Sequence, residues 1–151
     1  MDKKHLHTLE FPQILARLAQ HSSFSGGEEL ALALEPSPVL VEVRRRLQET
    51  REGRSLLEAD GAVSLGGVHD IRPLARHAQR GAVLQPDDLL NIEDTLRAGQ
   101  RVRNRLTRIQ ERVPLLADIA VRIEPCQDLA AEIGRCINGQ GEVVDHASAK
   151  L

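Results

Sequence analysis

Residues 86–112 read PDDLLNIEDTLRAGQRVRNRLTRIQER, and this stretch decides the fold class. At about 100° per residue, Ile92, Leu96, Gly99, Val102, Leu106 and Ile109 fall on one side of a helix. Pro86 suits a first turn, where no amide donor is needed, and Asp87 and Asp88 complement the positive end of the helix dipole. One helix is expected from Pro86 to about Arg112. On the opposite side Arg97, Arg101, Arg105, Arg108 and Arg112 step by four, four, three and four. The arginine fork bonds two phosphate oxygens at once, so these five are the candidate contacts to a nucleic-acid backbone. The competing account is a solvated outer face, partly paired with acids of neighbouring helices. Arg103 falls inside the apolar sector and requires a buried acid, a place at the end of the core, or a missing partner domain.

Working outward, Pro and Gly divide the rest of the chain into further helices, for about seven in all. The first is expected from Leu9 to about Gln20, since Leu9, Phe11, Ile14, Leu15 and Leu18 recur at helical spacing. Ser25-Gly26-Gly27-Glu28 has the form of a capping box and opens the second, which stops before Pro36. Ser37 and Pro38 suit the cap and first position of a third, carrying Leu40, Val43, Leu47, Thr50 and Leu57 to near Asp60-Gly61, with Gly53 as a weak point. Leu65 to Val68 reads as a loop, followed by a short helix from Ile71 to Gln79 capped by Asp70, with Gly81 as its terminating glycine. Two more helices are expected over Leu115–Ile123 and Gln127–Ile137. The tail from Asn138 to Asp145 reads as a turn and at most one short strand. Sequential helices with short links define an all-α, multi-helix bundle rather than βαβ units.

Composition bounds the rest. The chain has 151 residues, 20 basic and 22 acidic side chains, a net charge of −2, two cysteines, two phenylalanines and no Trp or Tyr. That is the size of one domain, residues 1–151, able to bury a core without disulfide or metal staples. The charge excludes a strongly basic protein, though not a local basic face, and favours the solvated account of the arginine row. No apolar run is long enough to span a bilayer and no signal region is present, so a cytoplasmic protein with free thiols Cys126 and Cys136 is expected. With only Phe11 and Phe24 as aromatics, stacking on bases is a poor prospect.

Little chemistry is implied. A phosphate loop needs a lysine set by glycines at a helix start, and Lys3, Lys4 and Lys150 do not follow such a loop. His5-x-His7 on an extended segment is half a metal site at most, with no further ligand cluster nearby. Cys126, Cys136 and His146 form a sparse set, and Cys136 falls with Leu129 and Ile133 on an apolar face, where a buried free thiol is common. His69-Asp70 resembles a dyad only on paper, because Asp70 is better used as a helix cap. No catalytic, cofactor-binding or metal-binding residue is expected. Arg44-Arg45-Arg46 with Arg51 and Arg54 is interleaved with Glu42, Glu49 and Glu52 and reads as a salt-laced surface.

Several short motifs occur together: Leu9-Glu10-Phe11-x-x-Ile14-Leu15; Leu34-x-Pro36; Gly66-Gly67-Val68-x-Asp70-Ile71-Arg72; Arg80-Gly81-x-x-Leu84-x-Pro86-x-x-Leu89-Leu90; Thr95-Leu96-Arg97-Ala98; and Glu142-Val143-Val144-Asp145-x-Ala147-Ser148. In order and spacing they resemble the N-terminal region of the bacterial second-type MutS family, paralogues of the mismatch-repair ATPase. The resemblance implies a helical domain like the MutS core (domain III), which joins the lever helices. It implies a longer parent that binds ATP and Mg, carries a nuclease domain, dimerises, and acts on branched or duplex DNA in suppressing recombination, or splits stalled ribosomes. The chain stops at Leu151, about where the family's lever helix begins, and is read as a fragment. It has no counterpart of the ATPase or nuclease motifs, nor of the Phe-x-Glu mismatch reader. Gln85 stands where a Ser or Thr cap is expected.

Overall fold

Helical spacing is met by helices throughout. The computed structural model describes residues 3–59, 63–145 and 147. Among them are eight helices and no strand: α1 (Lys3–Thr8), α2 (Phe11–Ala19), α3 (Ser25–Leu32), α4 (Leu40–Glu58), α5 (Arg72–Gln79), α6 (Pro86–Arg108), α7 (Pro114–Val121) and α8 (Gln127–Cys136). The chain groups into two compact units, residues 1–62 and 63–151.

In the first unit α1 packs on α2, and α2 on α3. The single helix expected from Leu9 is broken at Glu10, whose φ of 54° is left-handed, and a separate helix precedes it. Its additional turn accounts for eight helices in place of about seven. Glycine matters at the start of α3: a β-carbon on Gly26 would lie 2.6 Å from the Phe24 ring, and one on Gly27 would lie 2.1 Å from Ser22 Oγ. The expected capping box is not formed: Phe24 takes the cap position with no side-chain cap hydrogen bond, and α3 begins at Ser25 itself. The third expected helix starts later than Pro38. Ser37 Oγ accepts from the Val39 amide at 3.1 Å and donates to Glu42, holding 37–39 as a turn ahead of α4. That helix ends at Glu58, and the expected stop at Asp60-Gly61 lies outside the described residues.

In the second unit alanine makes up half of the buried core among the described residues. Ala98 and Leu106 of α6, Val113, Ala117 and Ala120 of the α7 segment, and Ala130, Ile133 and Ile137 of the α8 segment are buried. Alanines at these positions let α7 and α8 approach α6 closely. Gly99 serves the same end, with Ile123 Cγ2 3.3 Å from where its β-carbon would lie. The capping of α6 is better than Gln85 suggests: the Gln85 amide donates to Asp88 Oδ2 at 3.2 Å. α5 closes as expected, with Gly81 at φ 82° and the Ala82 amide reaching back to the His77 carbonyl at 3.1 Å. After α8, a single antiparallel bridge joins Ile137 to Val143 around the turn at Gly141, φ 77°.

The expected reach of α6 to Arg112 is corrected. The helix ends at Arg108, and Ile109 to Arg112 form a turn that reverses the chain before Pro114. Residues just ahead of a proline are pushed out of helical conformation, and Val113, at φ −135° and ψ 59°, has left it.

Candidate functional site

The arginines of the α6 row occupy different environments. Arg97 Nη2 lies 2.7 Å from Glu93 Oε1. That carboxylate is largely covered, its side chain 12% exposed, and sits over Gly134 of α8, where a β-carbon would come within 2.5 Å of it. Arg97 therefore neutralises an acid held between α6 and α8.

Arg101 Nη2 donates to the Gly66 carbonyl at 3.1 Å. Thr95 fastens the same loop: its Oγ1 accepts the His69 amide at 2.9 Å and donates to the Asn91 carbonyl at 2.8 Å. Gly67, at φ 83°, takes the left-handed conformation that lets the backbone pass beside Asp94.

Arg105, Arg108 and Arg112 are exposed and meet no acid among the described residues. Arg112 stands in the turn after α6, so the fifth rung of the ladder is off the helix. The structure thus separates the five candidates into two with intramolecular partners and three without one among the described residues. Arg103, expected to require a special explanation, is half-buried, and its Nε is buried with no hydrogen-bond partner among the described residues.

The remaining candidates disperse. Asp70 is engaged by Arg72, through Nε at 2.7 Å, Nη2 at 2.6 Å and the amide at 3.2 Å. His69 has Asp94 as its acidic neighbour, Nε2 to Oδ2 at 4.0 Å, so no His69–Asp70 dyad forms. His5 and His7 lie on helix α1 rather than on an extended segment, and two residues of helix turn their side chains about 200° apart. Cys136 is half-buried rather than a core residue, with its Sγ 3.7 Å from Glu132 Oε1; Ile133 beside it is buried, whereas Leu129 is 52% exposed. Cys126 is exposed, and His146 lies outside the described residues. Among the described residues no three His, Cys, Asp or Glu side chains gather as a metal site.

Two acids are tuned by neighbours. A hydrogen bond from Ser37, reinforced by Arg46, holds the Glu42 carboxyl below the ordinary glutamate range. Hydrogen bonding from Arg135, with Nη2 to Oε1 at 2.6 Å, does the same for Glu132. Both carboxylates stand in surface ion pairs.

Sequence reasoning missed a cleft of about 390 Å³ between α6 and α8, floored by Leu96, Ala130 and Ala131 and rimmed by Arg97 and Arg101. Its one sequence signal is the pair of alanines on α8, which leaves room against Leu96. No acid–base pair converges there.

No family model matches the chain. Curated relatives do. The chain is 39% identical over 151 residues to "Endonuclease MutS2" of Symbiobacterium thermophilum, covering 100% of this chain and 19% of that protein. It is 40% identical to "Endonuclease MutS2" of Pelotomaculum thermopropionicum, with the same coverage. It is 33% identical over 154 residues to "Putative endonuclease MutS2" of Bacillus subtilis, covering 100% of this chain and 20% of that protein. The chain spans about one fifth of the length of these relatives. End to end, the chain is similar to the N-terminal part of these MutS2 proteins.

Proposed function

We propose that the chain is a non-catalytic helical module of a longer MutS2-type protein, acting in the cytoplasm. Its work is mechanical. Helices of the second unit, packed through alanines and glycines, keep their spacing and pass nucleotide-driven movement of an ATPase towards a clamp on branched or duplex DNA, or on a ribosome. ATP and Mg bind elsewhere in that protein, which works as a homodimer and suppresses recombination or splits stalled ribosomes. The observation that carries this reading is the match of the entire chain to about one fifth of proteins named as endonucleases. The close α6–α8 packing at Gly134 supports a stiff element.

The test is made in the full-length protein. Gly134→Val displaces the Glu93–Arg97 pair held between α6 and α8, and DNA- or ribosome-stimulated ATP turnover is expected to fall about tenfold while unstimulated turnover stays. Equal stimulation in wild type and variant would remove the mechanical role.

A second reading, direct binding of a nucleic-acid backbone, is favoured by the unpaired Arg105, Arg108 and Arg112. It calls for salt-sensitive affinity whose log–log slope shrinks by about one for each arginine removed. The partners held by Arg97 and Arg101 count against the full five-arginine row.

A further inference from the structure

On α4 a row of side chains is left uncovered. Leu40, Arg44, Leu47 and Arg51 lie at i, i+4, i+7 and i+11, within about 60° of arc. Leu40 is 60% and Leu47 52% exposed. The other cations of α4 with nearby acids are already matched: Arg45 with Glu49, Arg46 with Glu42, and Arg54 with Glu58. Arg44 and Arg51 are exposed and meet no acid among the described residues. The opposite face is the covered one, with Glu52 buried and Glu49 and Leu56 half-buried. Within the first unit, α4 lies outside the packing of α1, α2 and α3.

Leucines alternating with unmatched cations fit an apolar ridge flanked by carboxylates. A phosphate-bearing surface would satisfy the arginines and leave the leucines in water. A second α4 would set arginine against arginine when parallel and leucine against arginine when antiparallel, and neither gives the cations an acid. The relatives, of which the chain covers 19%, hold about four times this length of further polypeptide. We infer that the Leu40–Arg44–Leu47–Arg51 row seats an amphipathic helix bearing Asp or Glu beside its apolar ridge, supplied by the longer polypeptide. This rests on the module reading above.

Hydrogen exchange of the 151-residue chain and of the full-length protein, each at two concentrations, tests it. The amides of α4 are expected to exchange at least about tenfold more slowly in the full-length protein. The double variant Arg44→Glu/Arg51→Glu of that protein returns α4 towards the isolated-chain rate while α6 and α8 keep theirs. Equal α4 exchange in both proteins, or full protection in the charge-reversed variant, overturns the inference. Protection in the short chain that grows with concentration also overturns it, by assigning the row to a second copy. Finding no longer product in cells defeats the module reading itself, a result distinct from any exchange outcome.

Discussion

Arg101 and Gly66 are 35 residues apart in sequence and are joined by a hydrogen bond of 3.1 Å from the guanidinium to the carbonyl. With the His69 amide on Thr95 Oγ1, this fastens the loop ahead of α5 to the outer face of α6. One cation that the sequence offers to a ligand is thereby spent on the fold.

Thr95→Val keeps the side-chain volume and removes the acceptor for the His69 amide. A loss of about 1 kcal/mol is expected, as for a hydrogen bond left unmade. Amide exchange should accelerate at His69 and its loop while α8 is unaffected. An unchanged His69 rate would mean that the fastening does not hold in solution.

Gly67→Ala places a side chain at φ 83°, where its β-carbon meets only ordinary contacts, at 3.8 Å from Asp94 and Arg101. The expected cost is therefore conformational, about 1–2 kcal/mol. Gly66→Ala, beside it and without a positive φ, should cost less. Urea midpoints of the two variants check the order.

Gly53 and Gly134 both lie inside helices, and their alanine variants are expected to differ. A β-carbon on Gly53 meets nothing within 4 Å, so Gly53→Ala should stabilise α4 by about 0.5–1 kcal/mol. Gly134→Ala gains the same propensity but must move the Glu93–Arg97 pair, which takes back most of the gain. Amide exchange in α4 and α8 separates the two.

Glu42 carries a pH prediction. Its folded carboxyl titrates below the unfolded value because Ser37 and Arg46 favour the anion. The order it lends to the start of α4 is thus complete above the ordinary glutamate value of about 4.3 and is lost as pH falls through the lowered value. Carboxyl carbon shifts should show a midpoint below that of a free glutamate, and Ser37→Ala should move it up. A midpoint unchanged by Ser37→Ala would remove the hydroxyl as the cause.

The helix ends that sequence locates best are those that carry punctuation. Pro86 with Asp88 starts α6, and α5 stops at Gly81 with the left-handed φ that a terminating glycine supplies. Ends without such marks were misplaced. The apolar period runs on through Ile109, yet α6 stops at Arg108 because the chain must turn before Pro114. Glu10 gives no sign in the sequence of its left-handed backbone, a state uncommon for any residue but glycine. At the candidate site, periodicity placed Arg97, Arg101, Arg105 and Arg108 on one face correctly. It could not show which are occupied, since the Arg101 partner is a backbone carbonyl brought in from a distant loop.

The close fit of Phe24 over Gly26, and of Ser22 over Gly27, ties four neighbouring codons into one evolutionary unit. Alanine at Gly26 requires the Phe24 ring to shift, and alanine at Gly27 requires the Ser22 hydroxyl to rotate and give up its hydrogen bond to the Phe24 carbonyl, so a change at either glycine is felt by its partner.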